Sequence, residues 1–239
     1  MAGRGVANVM GERWPAEFDR ARYDWARYVT RRRILAYWYQ VSEVLALAPR
    51  RLLEIGVGPG VVTSYLRHVG IDVTTVDINA ALAPDRVCSV LELKREFDEN
   101  EFDVVLCARV LHHLPFQQLG CAMSQVAWVS RRYCVLALAA EEAKVTLGIR
   151  ITGWDGWTVG VSVPLWMKRV IQGARGETRL LRHSSLWKVG TSRMTSVREI
   201  RRAMEERFTV AKQYLVPADG THLMMILEKR KDDRDEPSG

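Results

Sequence analysis

Between the apolar run Leu52-Leu53-Glu54-Ile55 and a helix-forming stretch that opens at Val61, the chain places glycines at 56, 58 and 60. The apolar run is too short for a helix and reads as a buried strand. Glycines let the backbone turn sharply behind that strand and approach a ligand without a clash at Cβ. The following segment, VVTSYLRHVG, reads as a helix whose first-turn N–H groups face whatever lies over Gly58 and Gly60. Strand, glycine turn and helix together open an α/β unit that holds a nucleotide-like cofactor. The competing reading is a glycine turn that serves packing alone.

Spacing separates the two cofactor classes that use such turns. A dinucleotide site needs G-x-G-x-x-G, and here Val61 stands where the third glycine would fall. Glu54, two residues before the first glycine, has no particular role in a dinucleotide turn but suits a ligand carrying an ammonium and a sulfonium. Next, IDVTTVDIN alternates β-branched residues and ends at Asp77, an acid at the carboxyl end of the second strand, where open α/β sheets meet a ribose diol. Arg86 to Val90 reads as a short third strand. FDVVLCARVLHHLP gives an apolar fourth strand from Phe102 to Cys107 and then a loop. On these residues the chain resembles the class I S-adenosylmethionine-dependent methyltransferases, whose first motif is acid-x-Gly-x-Gly-x-Gly after the first strand.

The resemblance implies S-adenosyl-L-methionine as cofactor, bound by Glu54, Gly56, Gly58, Gly60 and Asp77. It implies that Ile78 packs on the adenine and that Ser89 and Val90 frame its edge; many relatives carry an acid where this chain has Ser89. Cys107 and Arg109 fall where the loop after the fourth strand passes under the methionine moiety. Arg109 either clamps the cofactor carboxylate or reaches solvent. By family position His113 is the candidate catalytic base beside the transferred methyl, with His112 as its substitute, since an unperturbed imidazole titrates in the right range. Neighbouring residues cannot face the same way on a regular element. Packing or capping is the alternative for each histidine.

The implied fold is α/β: a Rossmann-like doubly wound seven-stranded sheet with a C-terminal antiparallel hairpin, an N-terminal helical lid and an insertion after the fifth strand. Residues 1–49 read as the helical cap, with a helix from Ile34 to Ala48 that brings Tyr37, Trp38 and Tyr39 over the cleft. Residues 50–140 form the cofactor core, closing with AMSQVAWVSRR as a helix and YCVLALA as the fifth strand. Residues 141–190, with Trp154, Trp157, Trp166 and Trp187, are an insertion that roofs the acceptor, because ligands sit at the carboxyl ends of such strands. Residues 191–229 supply a helix from Ser196 to Glu206 and strands from Phe208 to Val216 and from His222 to Glu228, joined by an Asp219-Gly220 turn. Residues 230–239 read as a disordered tail.

Charge is unevenly spread. Residues 1–51 carry ten arginines against five acids, residues 52–147 eight basic against twelve acidic, and residues 148–239 seventeen against eleven. An acidic core suits a cationic cofactor, and basic flanks suit an anionic acceptor or a phosphate-bearing surface. Six arginines between 20 and 33, interleaved with Tyr23, Trp25 and Tyr28, fit either an RNA-binding stretch or a solvated amphipathic helix. Four cysteines without C-x-x-C spacing indicate buried thiols and neither a metal site nor a disulfide framework. No secretory h-region opens the chain and no apolar stretch spans a bilayer, so the expected location is the cytoplasm. The leading function is methyl transfer to a small-molecule acceptor, a metabolite or glycan precursor. RNA methylation and a non-catalytic cofactor-binding regulatory subunit are the alternatives.

Overall fold

The computed structural model describes residues 30–140, 144–148, 158–162, 186–217 and 221–230. Helix α1 (Arg31–Leu47) starts at Thr30, whose hydroxyl accepts from the Arg33 N–H, and stops at Ala48 in a left-handed conformation. Strand β1 (Arg51–Ile55) follows, then the glycine turn and helix α2 (Val61–His68). Strand β2 is Asp72–Asp77 and β3 only Arg86–Val87. The short helix α3 (Leu93–Glu96) leads to β4 (Phe102–Ala108), a 3-10 turn at Leu111–His113, helix α4 (Leu119–Val129) and β5 (Ser130–Ala139). Strands β6 (Lys144–Gly148) and β7 (Thr158–Ser162) pair with each other as a separate antiparallel ribbon. Helix α5 (Val197–Glu205), β8 (Phe208–Leu215) and β9 (His222–Lys229) complete the described elements.

Seven strands form one sheet in the order β3-β2-β1-β4-β5-β9-β8. The first five run parallel, and β9 enters antiparallel against β5 and β8. Parallel strands buried on both faces need apolar side chains on both, which explains the near-continuous runs of β4 and β5. One face is closed by α1 and α2 around Val41, Val44, Leu66, Leu106 and Met224. The opposite face is closed by α4 and α5 around Leu53, Phe102, Met123, Leu136 and Ile200. The doubly wound sheet with its terminal hairpin is thus present as read from the sequence.

Local boundaries differ in instructive places. The third strand ends at Val87, because Cys88 and Ser89 turn away toward α3 and the Ser89 hydroxyl accepts from the Leu91 N–H. Ser130, Arg131 and Arg132 belong to β5 and not to the helix before it; Tyr133 to Ala139 then pair with β9. Cys88, Cys107 and Cys134 are buried, whereas Cys121 is exposed on α4. Trp187, at the end of the segment read as an insertion, is packed into the core. It is buried, donates from its indole N–H to the Leu114 carbonyl at 2.9 Å and packs edge-on against Phe116. The remaining tryptophans of the insertion, and the basic segment of residues 20–33 apart from Arg31 to Arg33, lie outside the described residues.

Candidate cofactor and acceptor cleft

The registers of β1, β2 and β4 bring Ile55 level with Val76 and with Cys107, so the three strands end together. The strand order reverses between β1 and β4, and the crevice at such a switch point is where open α/β sheets bind ligands. The glycine turn rises from it. Gly56, Gly58 and Gly60 have φ of +86°, +53° and +74°, values that side chains disfavour. A Cβ on Gly56 would in addition overlap the Val110 side chain. The turn is tied down by the Gly56 N–H donating to the Val76 carbonyl and the Gly60 N–H to the Val57 carbonyl. Gly60 caps α2 without a side-chain hydrogen bond, so the first turn of that helix is not closed by the protein's own side chains.

Two carboxylates frame this turn. Asp77 accepts from the Val57 N–H at 3.0 Å and from the Asn79 N–H at 2.9 Å, one bond to each oxygen. A carboxylate has about four acceptor positions, so Asp77 keeps capacity for a diol while it fixes the turn. Burial raises its pKa, and the N–H groups of Asn79, Val57 and Ile78 oppose that rise. Glu54 lies beneath the turn, 4% exposed, and accepts a hydrogen bond from the Thr63 hydroxyl. Burial pushes its carboxyl up to about 7, against the smaller opposing effects of Thr63 and Arg67. A carboxyl of this kind is poised to ionise when a cation arrives.

The cleft above is lined by Glu54, Gly56, Val57 and Gly58 on one side and by Ala108, Arg109 and His222 on the other. Arg33, Tyr37 and Gln40 of α1 cover it. Of the three aromatics read as covering the cleft, only Tyr37 does so; Trp38 is exposed and Tyr39 packs against Tyr214. Ile78, Ser89 and Val90 lie on the adjoining β2–β3 edge, beyond Asp77, with Val90 buried in the core and Ile78 and Ser89 half-buried. Cys107 packs in the core and its thiol is pushed up to about 12 by burial; it is not among the lining residues.

The two histidines occupy the 3-10 turn after β4. Their ring centroids lie 4.2 Å apart with the planes tilted by 40°. His112 is fully buried and its carbonyl accepts from the Leu186 N–H, which pins the end of the insertion to this turn. His113 is half-buried. Neither lines the described cleft. The residues that the sequence reading missed are Arg33, Gln40 and, above all, His222, which reaches the site only because β9 pairs with β5 so that His222 lies opposite Ala139. No local pattern around His222 announces that.

The residues present fit an adenosyl ligand. A cradle that only glycine can form, a buried acid below it and a ribose-ready carboxylate at the next strand stand around one crevice. The profile of the Methyltransferase domain family matches residues 53–132. Among solved structures the chain is similar to magnesium protoporphyrin IX methyltransferase from Synechocystis PCC 6803, determined with bound S-adenosylhomocysteine, at 16% identity and a TM-score of 0.59 over 90% of this chain and 97% of that one. It is also similar to 1,6-didemethyltoxoflavin-N1-methyltransferase from Burkholderia thailandensis, at 19% identity and a TM-score of 0.51 over 82% and 79%. A third similar structure is a sarcosine dimethylglycine methyltransferase of Galdieria sulphuraria, so named provisionally, at 14% identity and a TM-score of 0.51 over 82% and 86%. A search of curated proteins gives no match. Residues 53–132, which begin just before the glycine cradle, thus match the Methyltransferase domain family, and the chain shares the fold of these solved methyltransferase structures.

Proposed function

We propose that the protein binds S-adenosyl-L-methionine in this cleft and transfers its methyl group to a small-molecule acceptor. The observation that carries the reading is the turn at Gly56, Gly58 and Gly60 locked by Val57 onto Asp77 with Glu54 buried beneath it. When bound, the cofactor supplies a methyl group already activated on a sulfonium. The protein's task is therefore placement. Holding donor and acceptor in near-attack geometry supplies about 7 to 11 kcal/mol of a barrier.

The residues divide this work. Asp77 accepts from the ribose hydroxyls, Glu54 in its ionised form meets the ammonium end, and the backbone of Gly56, Gly58 and Gly60 lets the ligand approach. Ile78, Ser89 and Val90 border the adenine, where the backbone stands in for the acid of other sequences. The Ala108–Arg109 edge passes the methionine side, with Cys107 behind it as core. His113 is the base where the nucleophile loses a proton, and His112, whose tilted ring lies against it, helps to hold it in place. Two of the similar solved structures are methyltransferases of 1,6-didemethyltoxoflavin and of magnesium protoporphyrin IX, both small molecules. That and the enclosure of the cleft by α1 favour a small acceptor over RNA.

Incubation with methyl-labelled cofactor and separate small-molecule and RNA fractions of a cell extract tests the reading. Label in the small-molecule fraction, lost in His113→Ala at the chemical step with cofactor affinity kept, is the expected result. Label confined to RNA, with binding that falls steeply as salt rises, favours RNA modification. Tight cofactor binding without transfer to either fraction favours the regulatory subunit.

A further inference from the structure

Gln40 stands where the packing of α1 calls for an apolar side chain. Positions 33, 36, 37, 40 and 44 recur at the spacing of one helix face; Arg33, Ala36, Tyr37 and Gln40 line the cleft, and the face then passes into the core at Val44. Gln40 is only 3% exposed. Its side-chain amide makes no hydrogen bond with any described residue, and neither amide atom is sealed off, so the group opens into the cleft that it lines. Burying a carboxamide without a partner costs free energy, and native folds seldom do so. A ligand in the cleft supplies the missing partner.

A second polar group meets the same cavity. Glu54 accepts from the Thr63 hydroxyl with Oε2, and its Oε1 carries no hydrogen bond among the described residues. On the side of α2, Val61 and Val62 line the cleft, and no side chain caps the helix they open; a helix N-terminus of this kind favours negative charge. An ionised carboxylate only accepts, whereas a carboxamide accepts at its oxygen and donates at its nitrogen. The group that satisfies all three carries hydrogen-bond donors and an anion side by side. An ammonium and a carboxylate on one carbon meet that demand; an adenine, a ribose or a thioether does not.

We propose that Gln40 reads the α-amino-acid end of the donor, its Oε1 accepting from the ammonium that Glu54 also meets and its Nε2 donating to the carboxylate, so that helix α1 selects adenosyl ligands that carry this end over those that lack it. Gln40 is a binding and specificity residue. The inference rests on the methyltransferase reading of the cleft.

Calorimetry with S-adenosylhomocysteine comes first: no binding by the unaltered chain overturns that reading and this one together. With binding established, Gln40→Met, close to glutamine in size but without the amide, should weaken S-adenosylhomocysteine by about tenfold or more. It should leave 5′-methylthioadenosine, which lacks the amino-acid end, within about twofold. The ligand-free variant should keep its Tm or raise it, because a buried amide without a partner has been removed. Gln40→Leu should repeat the pattern. Unchanged S-adenosylhomocysteine affinity in Gln40→Met, the result if Arg33 or Arg109 holds the amino-acid end without Gln40 or if the amide serves the acceptor, overturns this inference alone. Equal weakening of both ligands beside a lowered Tm shows that Gln40 serves the packing of α1 and overturns it too, as does loss of the fold in both variants.

Discussion

Binding and stability pull against each other at Glu54. Its carboxyl titrates near 7 in the folded chain, against an ordinary value of 4.5. The folded state therefore holds a proton that the unfolded chain has released between these two values, and stability falls as pH rises from about 4.5 to above 7. The loss amounts to about 3 kcal/mol at most. Glu54→Gln removes this dependence, so the ligand-free variant should be more stable than the unaltered chain at pH 8 in urea unfolding. The same variant should bind the cofactor poorly. In the unaltered chain cofactor affinity should rise between pH 6 and 8 as Glu54 ionises, and calorimetry in buffers of different ionisation heat should show a proton released on binding near pH 6. Gly56→Ala is expected to lose binding as well, because its new Cβ meets Val110 and its φ of +86° disfavours a side chain. A fall in Tm together with lost affinity measures that effect.

Among the elements, α1 decides whether the cleft is covered. Its inner face buries Ala36, Gln40, Val41 and Val44, and the side chain of Glu43 latches it to β8 by accepting from Tyr214 Oη at 2.6 Å and Lys212 Nζ at 2.7 Å. Burial and then the Glu43 bond push the Tyr214 phenol well up from its ordinary value. Tyr214→Phe should cost about 1.5 to 3 kcal/mol in urea unfolding, the range for a bond to a charged group, and should weaken the cofactor by loosening the helix that carries Arg33 and Tyr37. Unchanged affinity beside lowered stability would show that the latch serves folding alone. This helix was legible in the sequence, since its apolar spacing and Pro49 bracket it, but the side it turns to the cleft was not. Tyr37, Trp38 and Tyr39 look alike in a string, and only docking on α2, β4 and β5 selects Tyr37. Trp187 shows the same limit: its partners, Leu114 and Phe116, are about seventy residues away, and no period encodes that distance.

At the scale of the whole molecule, the parallel sheet and its terminal hairpin follow from signals that are local: Gly-rich turn, β-branched alternation, Asp77 at a strand end, Asp219-Gly220 between two strands. What required the assembled sheet was the far wall of the cleft. Arg109 and His222 are 113 residues apart and meet only because β9 inserts between β5 and β8. Among the described residues no helix is long and apolar enough to cross a membrane. In the proposed function an adenosyl sulfonium cofactor sits in the crevice between β1 and β4, held by Asp77. Calorimetric titration of S-adenosylhomocysteine into the unaltered chain and into Asp77→Ala tests it most directly. Loss of two carboxylate hydrogen bonds, about 1.5 to 3 kcal/mol each, should weaken binding by about a hundredfold or more with the folded state intact. Binding unaffected by Asp77→Ala, or no binding to the unaltered chain, would overturn this placement of the cofactor.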